Sequence, residues 1–402
     1  MISNEELEKI KILGIEFNNT NIHDLKKFSK TKITYYNIPS KDRKGFFDEE
    51  GVQSFKSLKI KKQVDIINKI KDEFDLCIVT SWSSARIAYL ADLNYIIWFV
   101  GNDIRFPPFL KKFDFPTSKN HRYNLNVFER IFYKKIFDNA LVCITGAEEM
   151  FEYLQKFRND SIRVDRTIIN IPKLVEQKKI LKFKKKFTIF CPQRIAFEKG
   201  TDIIWKAISL CKNDFDVIQV DWIDNTITFS KEEKNELLKY KPKNVKLIKK
   251  IPRKEILEYY LKSDAVIGDM KIGYPNNIER ESALCKKPVL SYNNTKMKFF
   301  IDGNKITSPF LPISKDPKEL SILIDKIVES EEFRKELSNK EFNFVDNLGN
   351  PKKTAREWDE IFYRFSKKCK RISTSKKNLF LKKILFQIGF SLNLNKKEID
   401  YF

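Results

Sequence analysis

Short apolar runs that alternate with stretches of helical period restrict this chain to folds built from successive strand–helix units. Ile10–Phe17, Ile33–Tyr36, Leu76–Thr80, Tyr95–Val100 and Leu141–Thr145 read as strands, with helical patterns at Ser54–Ile70, Ser83–Ala91 and Tyr123–Phe137 between them. A run such as Tyr-Ile-Ile-Trp-Phe-Val (95–100) is apolar on both faces. Both faces must therefore be covered by helices, which predicts a parallel sheet and an α/β class. With 402 residues the chain exceeds what one core ordinarily supports, so two domains are expected.

The rhythm breaks at Asn170-Ile-Pro and passes into a Lys-rich stretch, which predicts a linker over 173–186. A second unit follows. Its strands are Phe187–Cys191, Phe215–Val220, Val245–Ile248, Ala265–Gly268 and Val289–Ser291; its helices are Ile203–Leu210, Lys231–Leu238, Glu255–Leu261 and Asn277–Leu284. Two successive open sheets place the expected ligand crevice at the carboxyl ends of the strands, where the domains face one another. Residues 317–367 read as helices. In the tail, 368–402, Leu381, Ile384, Leu385 and Ile388 recur at helical spacing beside Lys376, Lys377, Lys382 and Lys383. Such a basic amphipathic segment either anchors at a membrane surface or folds back to bury its stripe, and the second outcome is the favoured expectation.

The 77 Lys and Arg against 54 Asp and Glu give a formal charge of +23. An excess of this size suits nucleic acid, anionic membranes or phosphorylated ligands, and it equally suits a solvated lysine surface in a Lys-, Ile-, Asn- and Phe-rich composition. The six cysteines form no C-x-x-C pair and there are two histidines, so no zinc-ligand spacing exists. Cys77, Cys143 and Cys191 sit inside apolar strand-like runs, which suits reduced thiols and a cytoplasmic compartment. The acidic opening Met-Ile-Ser-Asn-Glu-Glu does not read as a signal peptide, and no apolar run approaches the roughly 18 residues that span a bilayer.

The segment with most chemical content is Cys191-Pro-Gln-Arg-Ile-Ala-Phe-Glu-Lys-Gly-Thr-Asp, a strand, a turn carrying Arg194 and Lys199, and Gly200 opening a helix. Two cations beside a helix N-terminus can hold a diphosphate, and basic residues at a solvated strand-to-helix turn are also common. The segment resembles the R-x4-K-G signature of the family 4 retaining glycosyltransferases (glycosyl transferases group 1, GT-B fold), with Arg194, Lys199 and Gly200 matching. Further segments are similar in order: Asn244-Val-Lys-Leu-Ile, Pro252–Tyr260, Ser263-Asp-Ala-Val-Ile and Ile272–Leu290.

The resemblance implies two Rossmann-like domains with parallel sheets facing across a cleft. Residues 1–172 would form the acceptor-side domain, 187–350 the nucleotide-sugar-binding domain, and 351–367 a helix crossing back to the first. It implies that Arg194 and Lys199 stabilise the leaving diphosphate and that Glu281 accepts hydrogen bonds from the ribose, as a carboxylate facing a diol can. Gly200, Asn277 and Ile278 would line the nucleotide site, and Gly273, Gly101, Asn102 and Asp103 the sugar and acceptor side. Two departures stand out: Gly273 replaces a glutamate eight residues before Glu281, and Val100 replaces a histidine before Gly101. Glu279 is an alternative acid whose offset points it elsewhere on the helix.

The expected activity is retaining, metal-independent transfer of a sugar from a nucleotide-sugar co-substrate, with no other cofactor. The acceptor is a glycan or a lipid phosphate, and the expected place is the cytoplasm, peripherally at an anionic membrane surface. The competing expectation is an inactive GT-B scaffold that binds nucleotide or glycan. A specific nucleic-acid partner is not expected, because no aromatic–basic motif or recognition helix accompanies the charge.

Overall fold

The computed structural model describes residues 2–17, 21–38, 53–57, 59–111, 125–146, 148–164, 186–222, 231–252, 255–301, 304–368 and 376–391. The chain divides into two compact units, Met1–Ile168 with Pro351–Phe402, and Ile169–Asn350. Of the linker expected over 173–186, only Lys186 is among the described residues.

Unit 1 runs α1 (Asn4–Glu8), β1 (Lys11–Phe17), α2 (Asn21–Lys26), β2 (Lys32–Ile38), β3 (Gln53–Ser54), α3 (Ile60–Ile70), β4 (Leu76–Val79), α4 (Trp82–Leu90), β5 (Tyr95–Phe99), α5 (Asn102–Arg105), α6 (Val127–Asn139), β6 (Val142–Thr145), α7 (Glu148–Gln155) and β7 (Ile162–Arg163). The strands form one sheet in the order β3-β2-β1-β4-β5-β6-β7, parallel throughout. Every residue of β4, β5 and β6 is buried, the expected consequence of runs apolar on both faces. Ser81 and Asn126 cap α4 and α6 through reciprocal capping boxes with Ser84 and Glu129.

Two helical expectations need correction. The pattern at Ser54–Ile70 yields a helix only from Ile60, because Gln53 and Ser54 pair with Tyr36 and Asn37 and Phe55 N–H donates to Asn37 O, committing this stretch to the sheet edge. The pattern at Tyr123–Phe137 starts at Val127, after its Asn126 cap; residues 123 and 124 lie outside the described residues.

Unit 2 runs β8 (Thr188–Cys191), α8 (Thr201–Leu210), β9 (Asp216–Asp221), α9 (Lys231–Leu238), β10 (Val245–Lys249), α10 (Ile256–Lys262), β11 (Ala265–Ile267), α11 (Asn277–Leu284), β12 (Val289–Leu290), the antiparallel pair β13 (Phe299–Ile301) and β14 (Asn304–Ile306), α12 (Pro317–Glu329) and α13 (Glu331–Leu348). Its parallel sheet has the order β10-β9-β8-β11-β12. Strand order thus reverses between β8 and β11, and in such sheets ligands bind outside the carboxyl ends at that reversal.

After unit 2 the chain returns to unit 1 as α14 (Pro351–Lys368) and α15 (Lys376–Ser391). Trp358 of α14 packs on Trp98 of β5 with ring centroids 4.5 Å apart, and Asp359 accepts from Lys30 N–H at 2.8 Å. The favoured expectation that α15 folds back to bury its stripe is corrected in part. The helix lies on unit 1, but its Lys382 and Phe386 make the contacts, while Leu381 stays 52% and Ile388 41% exposed. Among the described residues no helix is long and apolar enough to cross a membrane.

Candidate functional site

The turn after β8 brings Arg194 and Lys199 to the carboxyl end of the sheet. A 3-10 turn at Phe197–Lys199 delivers the chain to Gly200, which caps α8 with φ +74°, a left-handed conformation that favours glycine. A Cβ at Gly200 would stand 2.6 Å from Met270 Cβ, so glycine is also required by the close approach of the chain after β11. Thr201 Oγ1 accepts from Ala196 N–H at 3.0 Å, and Met270 N–H donates to Lys199 O at 3.1 Å, which ties the two segments together. Within the turn, Arg194 is ion-paired with Glu198.

Lys199 Nζ donates to Asp269 Oδ2 at 2.7 Å; the lysine side chain is 22% exposed and the aspartate 3%. The other oxygen of Asp269 accepts from Lys271 N–H at 2.7 Å and Ile272 N–H at 2.9 Å. Asp269 N–H in turn donates to Glu279 Oε1 at 2.7 Å, which also accepts from Ser291 Oγ at 3.1 Å. Glu279 is fully buried, and burial, reinforced by the neighbouring Asp269, raises its carboxyl above the usual range. Its Oε1 lies where a side chain at 268 would begin, which explains Gly268. Glu279 therefore faces inward, and links α11 through Asp269 to Lys199.

Glu281, one residue pair further along α11, is buried and accepts from Tyr260 Oη at 3.4 Å. Asn277 and Ile278 form the first turn of α11, Asn277 exposed and Ile278 packed against the core around Phe190 and Val266. Lys287 anchors the far end of this helix by donating to Leu261 O at 2.9 Å and Ser263 O at 2.8 Å.

Gly273 has φ +78°, and a Cβ there would stand 2.7 Å from both Asn294 Cβ and Tyr292 Cε1. Asn294 N–H donates to Gly273 O at 3.1 Å, holding the chain in that position. The departure from glutamate thus has a physical cause: packing of the 292–294 segment fills the space a side chain would need.

In unit 1, Gly101 follows β5, and a Cβ placed on it meets nothing within 4 Å. Asn102 and Asp103 start the short α5; Asp103 O accepts from Trp82 Nε1, and burial pushes the Asp103 carboxyl up to about 7. Glu16, at the end of β1, turns its carboxyl onto the start of α2, accepting from Asn21 N–H at 3.1 Å and Ile22 N–H at 3.0 Å. Burial raises Glu16 to about 8. Asn37 is its register partner on β2, and Thr80 follows Val79, the partner of Ile15. All three are buried, and Asn37 Oδ1 and Thr80 Oγ1 have no hydrogen-bond partner among the described residues.

Sequence reasoning missed Asp269, Glu279 as a structural link, and Gln193. Gln193, adjacent to Arg194, is 2% exposed, and neither side-chain amide atom has a hydrogen-bond partner among the described residues. Asp269 follows Gly268 at the end of a predicted strand, a positional signal that was available; Gln193 carries none.

The two parallel sheets with their helices define a GT-B α/β fold, and solved structures agree. Sucrose-phosphate synthase from Thermosynechococcus elongatus superposes with a TM-score of 0.64 at 11% identity, over 90% of this chain and 100% of that one. HepE of Anabaena, solved with UDP and glucose, gives 0.62 at 14%, over 88% and 100%. A glycosyltransferase from Rickettsia africae gives 0.57 at 14%, over 90% and 100%. No curated protein sequence matches significantly. Residues 173–344 match the family described as Glycosyl transferases group 1.

Proposed function

We propose that the chain transfers a sugar from a nucleotide-sugar donor to a glycan or lipid-phosphate acceptor, retaining anomeric configuration and using neither a metal nor another cofactor. The observation that carries this reading is the Arg194–Lys199 turn at the strand-order reversal of unit 2, with Lys199 fixed by Asp269. As the bond between sugar and phosphate breaks, negative charge develops on the leaving diphosphate, and cations already in place lower the barrier. A lysine ammonium has three N–H donors, so Lys199 can keep its bond to Asp269 while donating to phosphate. Glu281, on the helix that Glu279 couples to this network, takes the ribose hydroxyls. HepE, a structural neighbour solved with UDP and glucose, supports a donor of this class.

Two further parts of the reading concern unit 1 and place. Gly101, Asn102 and Asp103 lie on the acceptor side, at the carboxyl end of β5, and the reaction takes place in the cytoplasm at the face of a membrane. The alternative, a nucleotide-binding scaffold without transfer, draws on the filled position at Gly273. Product anomer by NMR, with transfer assayed in excess chelator, tests the chemistry: retained configuration and undiminished rate are expected, and inversion or loss of rate would refute it.

A further inference from the structure

We propose that the outer side of α15, with the exposed residues of α6, is a docking surface for an anionic lipid bilayer. The contacts that fix α15 to unit 1 come from Lys382, whose Nζ donates to Asp92 Oδ1 at 2.6 Å and lies 4.6 Å from the Tyr89 ring centroid, and from Phe386, 5.4 Å from Phe132 of α6. Positions four apart share one side of a helix. Leu381, Ile384 and Ile388 lie away from that side and Leu385 flanks it; Ile384 and Leu385 are half-buried, and Leu381 and Ile388 are exposed.

The neighbouring α6 exposes Val127 (67%), Phe128 and Ile131 (41% each). Of the nine exposed large hydrophobic side chains among the described residues, five are on these two helices. Single exposed apolar residues need no explanation, but a concentration on one pair of packed helices points to a partner.

Charge selects the partner. No Asp or Glu occurs between Ile361 and Lys397, and eight Lys and Arg fall between Lys367 and Lys383. A second copy of the chain would bring like-charged segments together, whereas an anionic bilayer offers both an apolar interior for the leucines and isoleucines and counter-charge for the lysines. Lys383 on α15 and Lys135 on α6 are exposed. This surface belongs to unit 1 alone and does not depend on sugar transfer.

Flotation of the full chain with phosphatidylcholine vesicles, with and without phosphatidylglycerol, tests the inference. Binding only to the phosphatidylglycerol-containing vesicles, weakened by salt, is expected. The double substitution Leu381→Asp with Ile388→Asp should lower the bound fraction at least tenfold, and Leu381→Ser with Ile388→Ser by less, with the thermal melt unchanged in both. Arg194→Ala should float like the unaltered chain. Failure to float, or flotation untouched by both double substitutions, overturns the proposal. So does a dimer in light scattering that the same substitutions dissociate, because the face would then belong to a second copy.

Discussion

Between β8 and β11, unit 2 finishes its sheet with charged groups joined across two chain segments, Lys199 to Asp269, with Arg194 and Glu198 paired on the same turn. Between β1 and β4, unit 1 finishes its own with Glu16 turned inward onto α2 and with the buried Asn37 and Thr80 beside it. Both sheets reverse strand order at these points, so the same topology is finished in two ways. A partly exposed cation such as Lys199 can share its N–H donors with a charged ligand. A carboxyl held in the interior and raised to about 8 contributes to the fold instead. On the proposed reading, unit 2 takes the nucleotide diphosphate and unit 1 the acceptor.

The comparison can be broken most severely at Lys199. Lys199→Ala should lower kcat/KM for the donor by roughly 10²–10³, while Glu16→Ala, in unit 1, should act through stability; similar kinetic losses from both would erase the distinction. Gly273→Glu is expected to destabilise unit 2 by about 2–4 kcal/mol, through the left-handed backbone and the contacts with Tyr292 and Asn294. A calorimetric melt unchanged by this substitution would show that the position is open after all. Asp269→Asn keeps the oxygen that accepts from Lys271 and Ile272 but turns an amide toward Lys199. A loss of roughly tenfold in kcat/KM, about 1.4 kcal/mol, should follow, with little change in the melt; an unchanged rate would make Asp269 purely structural.

The smallest expected effect is on pH dependence. Glu16 has its folded pKa raised from 4.5 to about 8, so the folded state binds more protons between those values. Its contribution to stability is fully present below about 4.5, falls as pH rises, and is lost above about 8. Asp103, raised to about 7, acts in the same direction over a lower window. Melting temperature followed across this range should fall with pH, and Glu16→Gln should flatten the slope. An unaltered slope would mean that the inward carboxyl is not the titrating group.

Much of this arrangement was legible because it rests on local signals. The strands of both sheets are apolar runs, and the Arg194–Lys199–Gly200 spacing is contiguous in sequence, as is Glu281 with the Lys287-Pro-Val that follows it. What was not legible depends on contacts between distant segments. Asp269 meets Lys199 across 70 positions, and Gly273 is closed by residues 292–294. The edge strand at Gln53–Ser54 overrides a helical pattern because β2 offers it backbone partners. For α15 the periodicity indicated a stripe, but only the Lys382 and Phe386 contacts reveal which side meets the body.

The most direct measurement is nucleotide release from a panel of sugar nucleotides by the purified chain and by its Arg194→Ala and Glu281→Ala variants. Acceptor-dependent release from one donor is expected, reduced at least a hundredfold by Arg194→Ala and more modestly by Glu281→Ala. Release that persists undiminished in both variants, or tight nucleotide binding with no release from any donor and acceptor tried, would contradict this expectation.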